Sequence, residues 1–200
     1  MEIKRIDVYT DDRFSRKVLD QHGCFLADGL PCEVEIISDF EAVVRGGNRE
    51  TYPQLIEEFR FYTPHITKFF DGYGELIKEY PPVPIFKIPV AEIQPSQFFI
   101  DEDKIAAIRS FIHCSQDIII QVMRHNGRYI SLDGHTRLYY AVLEGWDIVR
   151  AVEAEVSEDI LDFVKEAQRR KIYAPKDMEL VGHSEYEEKW NRFCDAYFGK

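Results

Sequence analysis

The sequence predicts an α+β protein in three parts, and three observations predict it. Short segments such as Glu2–Tyr9 and Arg128–Leu132 alternate or cluster apolar residues as strands do. Others, such as Ile105, Ile108, Phe111 and Ile112, keep the three-four spacing of a helix face. Between them Pro81-Pro82-Val83-Pro84 reads as a stiff, extended connector. The parts are a small α+β module over 1–80, a central α+β domain over 85–156 and a helical extension over 157–200.

In the first part, Ile3, Ile6 and Val8 among charges predict a strand over Glu2–Tyr9. Asp11 and Asp12 can cap a short helix through Leu19 that stops near Gly23. Glu33–Ile37 reads as a strand, and Phe40–Val44 as a strand or a short helix. Gly46-Gly47-Asn48 is a turn. A helix begins at about Gln54 with Leu55, Ile56 and Phe59 on one face, and Pro64 interrupts it. Ile66, Phe69 and Phe70 predict one further helical turn before Gly72 and Gly74.

In the second part, Phe86–Val90 is a strand and Ile93–Gln97 a loop. The acidic start Asp101-Glu102-Asp103 suits the positive end of a helix dipole. Ile118–Met123 and Arg128–Leu132 form a hairpin, because Asn126-Gly127 supplies two residues tolerant of positive φ. Thr136–Glu144 is a helix ended by Gly145, and Val149–Val156 is the last strand. In the third part, Ser157 opens a helix that runs to Arg169-Arg170-Lys171. A final helix, Ser184–Phe198, carries a stripe of Tyr186, Trp190, Phe193, Cys194 and Tyr197. That stripe is read as core or packing, with a homodimer face as the second reading.

Composition narrows the function. In 200 residues the formal charge is −11 and apolar residues reach 45%. That is too apolar for a disordered chain. It is also too acidic for a nonspecific nucleic-acid or anionic-membrane binder, so no specific DNA and no membrane partner is expected. The start has no apolar core of a secretion signal, and no apolar run approaches a membrane span. A cytoplasmic protein with reduced thiols at Cys24, Cys32, Cys114 and Cys194 is expected. Cys114 reads as a packed residue just after a helix. His22, Cys24 and Cys32 lack the second close pair of a zinc site, so no metal ligands are assigned.

The candidate site is the strand-to-helix turn Leu132-Asp133-Gly134-His135-Thr136-Arg137. First-turn N–H groups of a helix have no intrahelical partners, and the dipole favours negative charge there. Gly134 permits close approach of a ligand, Thr136 offers a cap or a hydroxyl, and His135 a donor or titratable group. Arg137 adds a planar fork for phosphate or carboxylate. Equally, Asp133 can cap the helix and Arg137 pair with a surface carboxylate; local features leave both readings open.

The stretch Ile88–Gln97, then a helix, a strand, the Asn-Gly hairpin and Ile130–Arg137 resembles the ParB/sulfiredoxin superfamily over 85–156. The resemblance implies a nucleotide site: Gly134, His135, Thr136 and Arg137 on the phosphates, and Ser96 and Gln97 in the substrate or nucleotide loop. Asp133 and His135 would be the catalytic pair, and ATP, ADP or CTP with magnesium the ligand. A phosphotransferase or hydrolase is the function implied. The alternative is a non-enzymatic nucleotide or metabolite sensor, and DNA partitioning or nuclease action ranks below both. His135 stands where sulfiredoxins carry their cysteine, which excludes that chemistry. Gln97 stands in the region of the serine kinases' glutamate, and an amide cannot be a general base. Glu102 or Asp103 could substitute after a loop shift, although acidic residues at a helix start usually only cap it. Only 157–200 follow the domain, too few for a DNA reader and a dimerising tail.

Overall fold

A computed structural model describes residues 1–8, 10–154 and 159–199. The chain divides into two compact units, Met1–Pro84 and Ile85–Lys200.

The first unit is one six-stranded sheet of β1 (Ile3–Arg5), β2 (Cys24–Ala27), β3 (Leu30–Ile36), β4 (Glu41–Gly46), β5 (Lys68–Asp71) and β6 (Leu76–Glu79) in sequence order. Neighbours are antiparallel except β4 and β5, which are parallel. A parallel pair needs a crossover, and helix α2 (Tyr52–Tyr62) makes it, with Pro53 in its first turn where no N–H is missed. Its buried face of Leu55, Ile56 and Phe59 packs with Phe25, Val34, Val44 and Phe69. Ring edges of Phe25 and Phe69 meet Phe59 at centroid distances of 6.3 and 6.2 Å. A smaller cluster seats helix α1 (Arg16–Asp20) through Val18 and Leu19.

Several expectations are corrected here. The first strand stops at Arg5. Asp11 caps no helix: its carboxylate accepts from the backbone and guanidinium of Arg13, and α1 begins five residues later with Ser15 at its N-cap. In place of the expected helical turn through Phe69 and Phe70 stands strand β5, because Ala42, Val43 and Val44 pair with Phe69, Phe70 and Asp71.

The second unit has a mixed five-stranded sheet of β7 (Ile85–Pro89), β8 (Ile93–Gln94), β10 (Ile119–His125), β11 (Arg128–Ser131) and β12 (Ile148–Glu153), ordered β7-β12-β10-β11-β8. The hairpin β10–β11 turns on Asn126 and Gly127, at φ 49° and 77°. A separate parallel pair joins β9 (Phe99–Asp101) to β13 (Glu179–Val181). Helices α3 (Glu102–Ile108) and α4 (His135–Leu143) contribute Ile105, Ile108, Leu138 and Ala141 to the core with Ile88, Ile118, Ile120 and Val122.

Here the segment read as a loop holds β8, paired with β11 through Ile93↔Tyr129. Asp101 ends β9 and caps α3 by accepting the Asp103 N–H at 2.9 Å. The helix before Gly145 starts one residue earlier than expected, at His135. Strand β12 begins at Ile148, one residue early; residues 155 and 156 of the expected strand, and the Ser157 cap, lie outside the described residues. Cys114 is exposed rather than packed, at the start of a 3-10 turn. The described residues past 158 join the same core. Helix α5 (Ile160–Arg169) supplies Ala167, and Ile172, Met178, Val181 and Tyr186 follow. The last helix starts at His183 and changes winding: α6 (His183–Tyr186) passes through a π-helical stretch, Glu187–Asn191, into α7 (Arg192–Phe198). Its Trp190 and Phe193 meet the ring of buried Phe98 at 4.8 and 5.1 Å. Among the described residues, no helix is long and apolar enough to cross a membrane.

Candidate functional site

The hairpin strand β11 delivers the chain directly into α4, and Gly134 is the joint. Its φ of 81° is left-handed, where an L side chain is strained. Space forbids one as well: a Cβ there would lie 2.6 Å from Ile120 Cγ2 and 3.1 Å from Arg137 Nε and Nη2. Gly134 is the N-cap of α4, so the cap position carries no side chain, and Asp133 stands one residue outside it.

Arg137 sits beneath this joint. Its Nη1 donates to the Ile119 carbonyl at 2.7 Å, tying α4 to β10. Its Nη2 donates to Asp133 Oδ2 at 3.1 Å. The side chain of Asp133 is 48% exposed and that of Arg137 23%, so the pair opens to solvent at its acidic end. Arg137 pairs with a surface carboxylate, that of Asp133 itself, and with backbone, while the N-cap position belongs to Gly134 and not to Asp133.

His135 takes a different position. It is buried, and its Nε2 accepts from the Ser96 N–H at 3.2 Å and lies 3.1 Å from the Ser96 hydroxyl. That hydroxyl in turn donates to the Ser131 carbonyl at 2.7 Å. With a donor on Nε2, a neutral ring carries its proton on Nδ1. Burial pushes the imidazole down to about 4, so it stays uncharged near neutral pH. His135 therefore ties the loop after β8 to the turn.

The structure thus brings Ser96, Asp133, Gly134, His135, Thr136 and Arg137 together, with Thr136 partly buried in the first turn of α4. Gln97 leaves this group: its amide donates to the Phe99 carbonyl at 2.6 Å and to the Tyr186 hydroxyl at 3.2 Å. Gln94 belongs to the neighbourhood without having been singled out. It is buried, and its amide donates to the carbonyls of Pro95 and Ile172. A glutamine before a Pro-Ser loop gives no local sign of this, because its partner Ile172 is remote in sequence.

A second polar group lies at the β9–α3 junction. Asp101, Asp103 and His183 can bring ligand atoms within 4.8 Å of one another. Asp101, fully buried, spends Oδ1 on the Asp103 N–H and Oδ2 on His183 Nδ1 at 2.7 Å. The hydrogen bond and charge of Asp101 raise the His183 pKa above its ordinary value. The acidic pair was visible in sequence, and the histidine was not.

No protein-family model matches the chain, and no curated protein does. Among solved structures, protein Atu1540 from Agrobacterium tumefaciens is similar with a TM-score of 0.35 and 15% identity, over 48% of this chain. The match spans 61% of that protein, less than two thirds of its length. A likeness of this size carries no argument about fold or activity.

Proposed function

We propose that the second unit is a nucleotide-binding domain of the ParB/sulfiredoxin-like type, holding phosphate oxygens at the 133–137 turn. The observation that carries this is the left-handed Gly134 N-cap with the Arg137 guanidinium packed beside it. The positive end of α4 and a planar cation then lie close together, a combination that suits an anion. An arriving phosphate takes the place of Asp133 on Nη2, while Nη1 keeps its hold on the Ile119 carbonyl.

Asp133, once displaced, is the carboxylate at hand to hold magnesium on ATP, ADP or CTP, or to accept a proton from a hydroxyl or water. In this reading the protein is a phosphotransferase or hydrolase. His135 acts as a positioning residue for Ser96 and the turn, since its ring is buried and neutral. One observation favours a second reading, a nucleotide or metabolite sensor without turnover: the His135 ring is held by Ser96 and the Gln97 amide is turned to Phe99 and Tyr186, so neither serves as a second catalytic group.

The test is a thermal-shift panel of ATP, ADP, CTP and GTP with and without magnesium. A true ligand at a hundredfold over its Kd adds about 2.7 kcal/mol. Asp133→Asn then separates the two readings. Retained binding with turnover down by about 10²–10⁴-fold identifies an enzyme with Asp133 as its base. Binding by the parent protein with no turnover, towards water or small hydroxyl acceptors, identifies the sensor. No shift with any nucleotide overturns both.

A further inference from the structure

Where β9 runs into α3, Asp101, Asp103 and His183 each place a ligand atom within 4.8 Å of the others. Strand register brings them there. Val181 of β13 pairs with Asp101 of β9, so the chain that follows, Gly182 and His183, enters α6 beside the first turn of α3. Gly182 keeps the approach close, since a Cβ there would stand 3.4 Å from Glu102 Oε1. A nitrogen donor from the last helix thus joins two carboxylates from the β9–α3 junction, which makes a mixed donor set rather than an acidic patch.

The His183 ring is oriented from both sides. Its Nδ1 lies 2.7 Å from Oδ2 of Asp101, whose side chain is fully buried. Its Nε2 lies 3.6 Å from Glu187 Oε1, one helical turn further on. A ligating histidine almost always engages a carboxylate, a carbonyl or water through the ring nitrogen that does not hold the metal. Glu187 is that carboxylate here, and it stands where the winding changes from α to π. Such π-helical turns inside helices are frequent at functional sites.

The charge balance points to a cation. The carboxylates of Asp101, Glu187 and Asp103 all bear on the His183 ring. Three carboxylates exceed the single charge that a protonated imidazole can offer them. Basic side chains of the same elements are engaged elsewhere. Lys104 lies over the Tyr186 ring, 4.9 Å from its centroid, and Lys189 reaches Glu185 at 2.5 Å.

We propose that Asp101, Asp103 and His183 bind one divalent transition cation of the zinc class. The ion takes the place of the proton between His183 Nδ1 and Asp101 Oδ2, and that proton leaves to water. Asp103 supplies the third ligand, and Glu187 accepts from Nε2–H as the outer partner. Asp101 Oδ1 keeps the Asp103 N–H, which holds the site to α3. With Asp103 and His183 exposed, the remaining coordination position is open to water, as in catalytic zinc sites and unlike closed structural ones. An imidazole ligand suits zinc, whereas magnesium takes oxygen ligands and keeps its water. The bound ion clamps the β9–α3 junction to the last helix. The site is separate from the phosphate turn and does not depend on the nucleotide reading.

The experiment adds zinc chloride to the full chain and follows the ring signals of its six histidines by NMR, with His183 assigned through His183→Gln. Calorimetry gives the affinity. The expected result is a saturable shift of His183 with zinc, while magnesium at the same concentration leaves it in place. Asp103→Asn removes one ligand at an exposed position and keeps the backbone N–H that meets the α3 cap, so the fold is retained. It should weaken zinc by about 10–100-fold, the loss that even an outer partner's removal brings at a metal site. The proposal is overturned if His183 stays unmoved by zinc at millimolar concentration. It is equally overturned if magnesium shifts His183 as far as zinc does, which marks plain screening of the acids, or if Asp103→Asn leaves the affinity unchanged.

Discussion

The ring nitrogen of His135 and the backbone N–H of Ser96 meet across 39 positions of chain, 3.2 Å apart, inside the second unit. This contact makes the imidazole an acceptor and thus ties its stability contribution to the neutral form. Its pKa is pushed from 6.5 to about 4 by burial. The unfolded chain therefore binds the proton more readily between these values, and the contribution is lost as pH falls from 6.5 through about 4.

The first prediction follows. Between pH 7 and pH 4 the parent protein should lose on the order of 1–3 kcal/mol more stability than His135→Gln, which keeps an acceptor but cannot titrate. Urea unfolding of both proteins across that range measures it. Parallel pH profiles would show that the histidine is charged, or relaxed, in the folded state.

Gly134 and Gly127 make a controlled pair. Both have left-handed φ, 81° and 77°, but a Cβ at Gly127 meets nothing within 4 Å, whereas one at Gly134 meets Ile120 at 2.6 Å. Gly127→Ala should lose about 1–2 kcal/mol from conformation alone. Gly134→Ala should lose a further 1–3 kcal/mol, roughly the cost of overpacking. Equal melting temperatures in the two variants would show that the turn absorbs the extra atom.

His183 titrates in the opposite sense from His135. Its hydrogen bond to buried Asp101 raises its folded pKa, so its stabilising contribution is complete below 6.5 and fades as pH rises through the folded value. In an NMR titration the His183 ring should show a midpoint above the ordinary one. Asp101→Asn, which retains helix capping, should bring it down. A midpoint indifferent to that substitution would break the link between β9 and the last helix.

DNA binding should be absent. Of the basic run Arg169-Arg170-Lys171, Arg169 and Arg170 both bond Glu166 at 2.7 Å, and their hydrogen bonds hold that carboxyl down to about 2. Arg170 also lies over the Phe98 ring, 4.4 Å from its centroid. With two of three cations paired, no salt-dependent gel shift of duplex DNA should occur at physiological salt. A sub-micromolar shift that weakens steeply as salt rises would contradict this.

What the sequence made legible was local. Asn126-Gly127 marks its hairpin because two adjacent residues tolerant of positive φ leave few other conformations. The turn at Gly134 was legible for a different local reason, the step from a strand directly into a helix N-terminus. Phe69 and Phe70 were misread because an apolar pair has no period of its own; their strand state comes from β4, reached only after the α2 crossover. His135 was read as a donor or titratable group because its acceptor role depends on Ser96, a partner that no local pattern reveals. Asp101 and His183 were likewise invisible as a pair, since only the β9–β13 register brings them together. The π-helical stretch at Glu187–Asn191 left the aromatic spacing looking like one plain helix.

The pairing of β9 with β13 has a consequence for how the molecule is made. Among the described residues, Phe99, Ile100 and Asp101 find their strand partners in Glu179, Leu180 and Val181. A ribosome releases the first of these long before it has synthesised the second. Until then the β9 edge lacks its strand partner and the ring of Phe98 lacks Trp190 and Phe193, although the hairpin and α4 are already complete. The nascent chain thus passes through a stage with a sticky edge, which is when a chaperone has the most to protect. Translation stalled between α4 and β13 should yield a chain that aggregates, while the finished one does not.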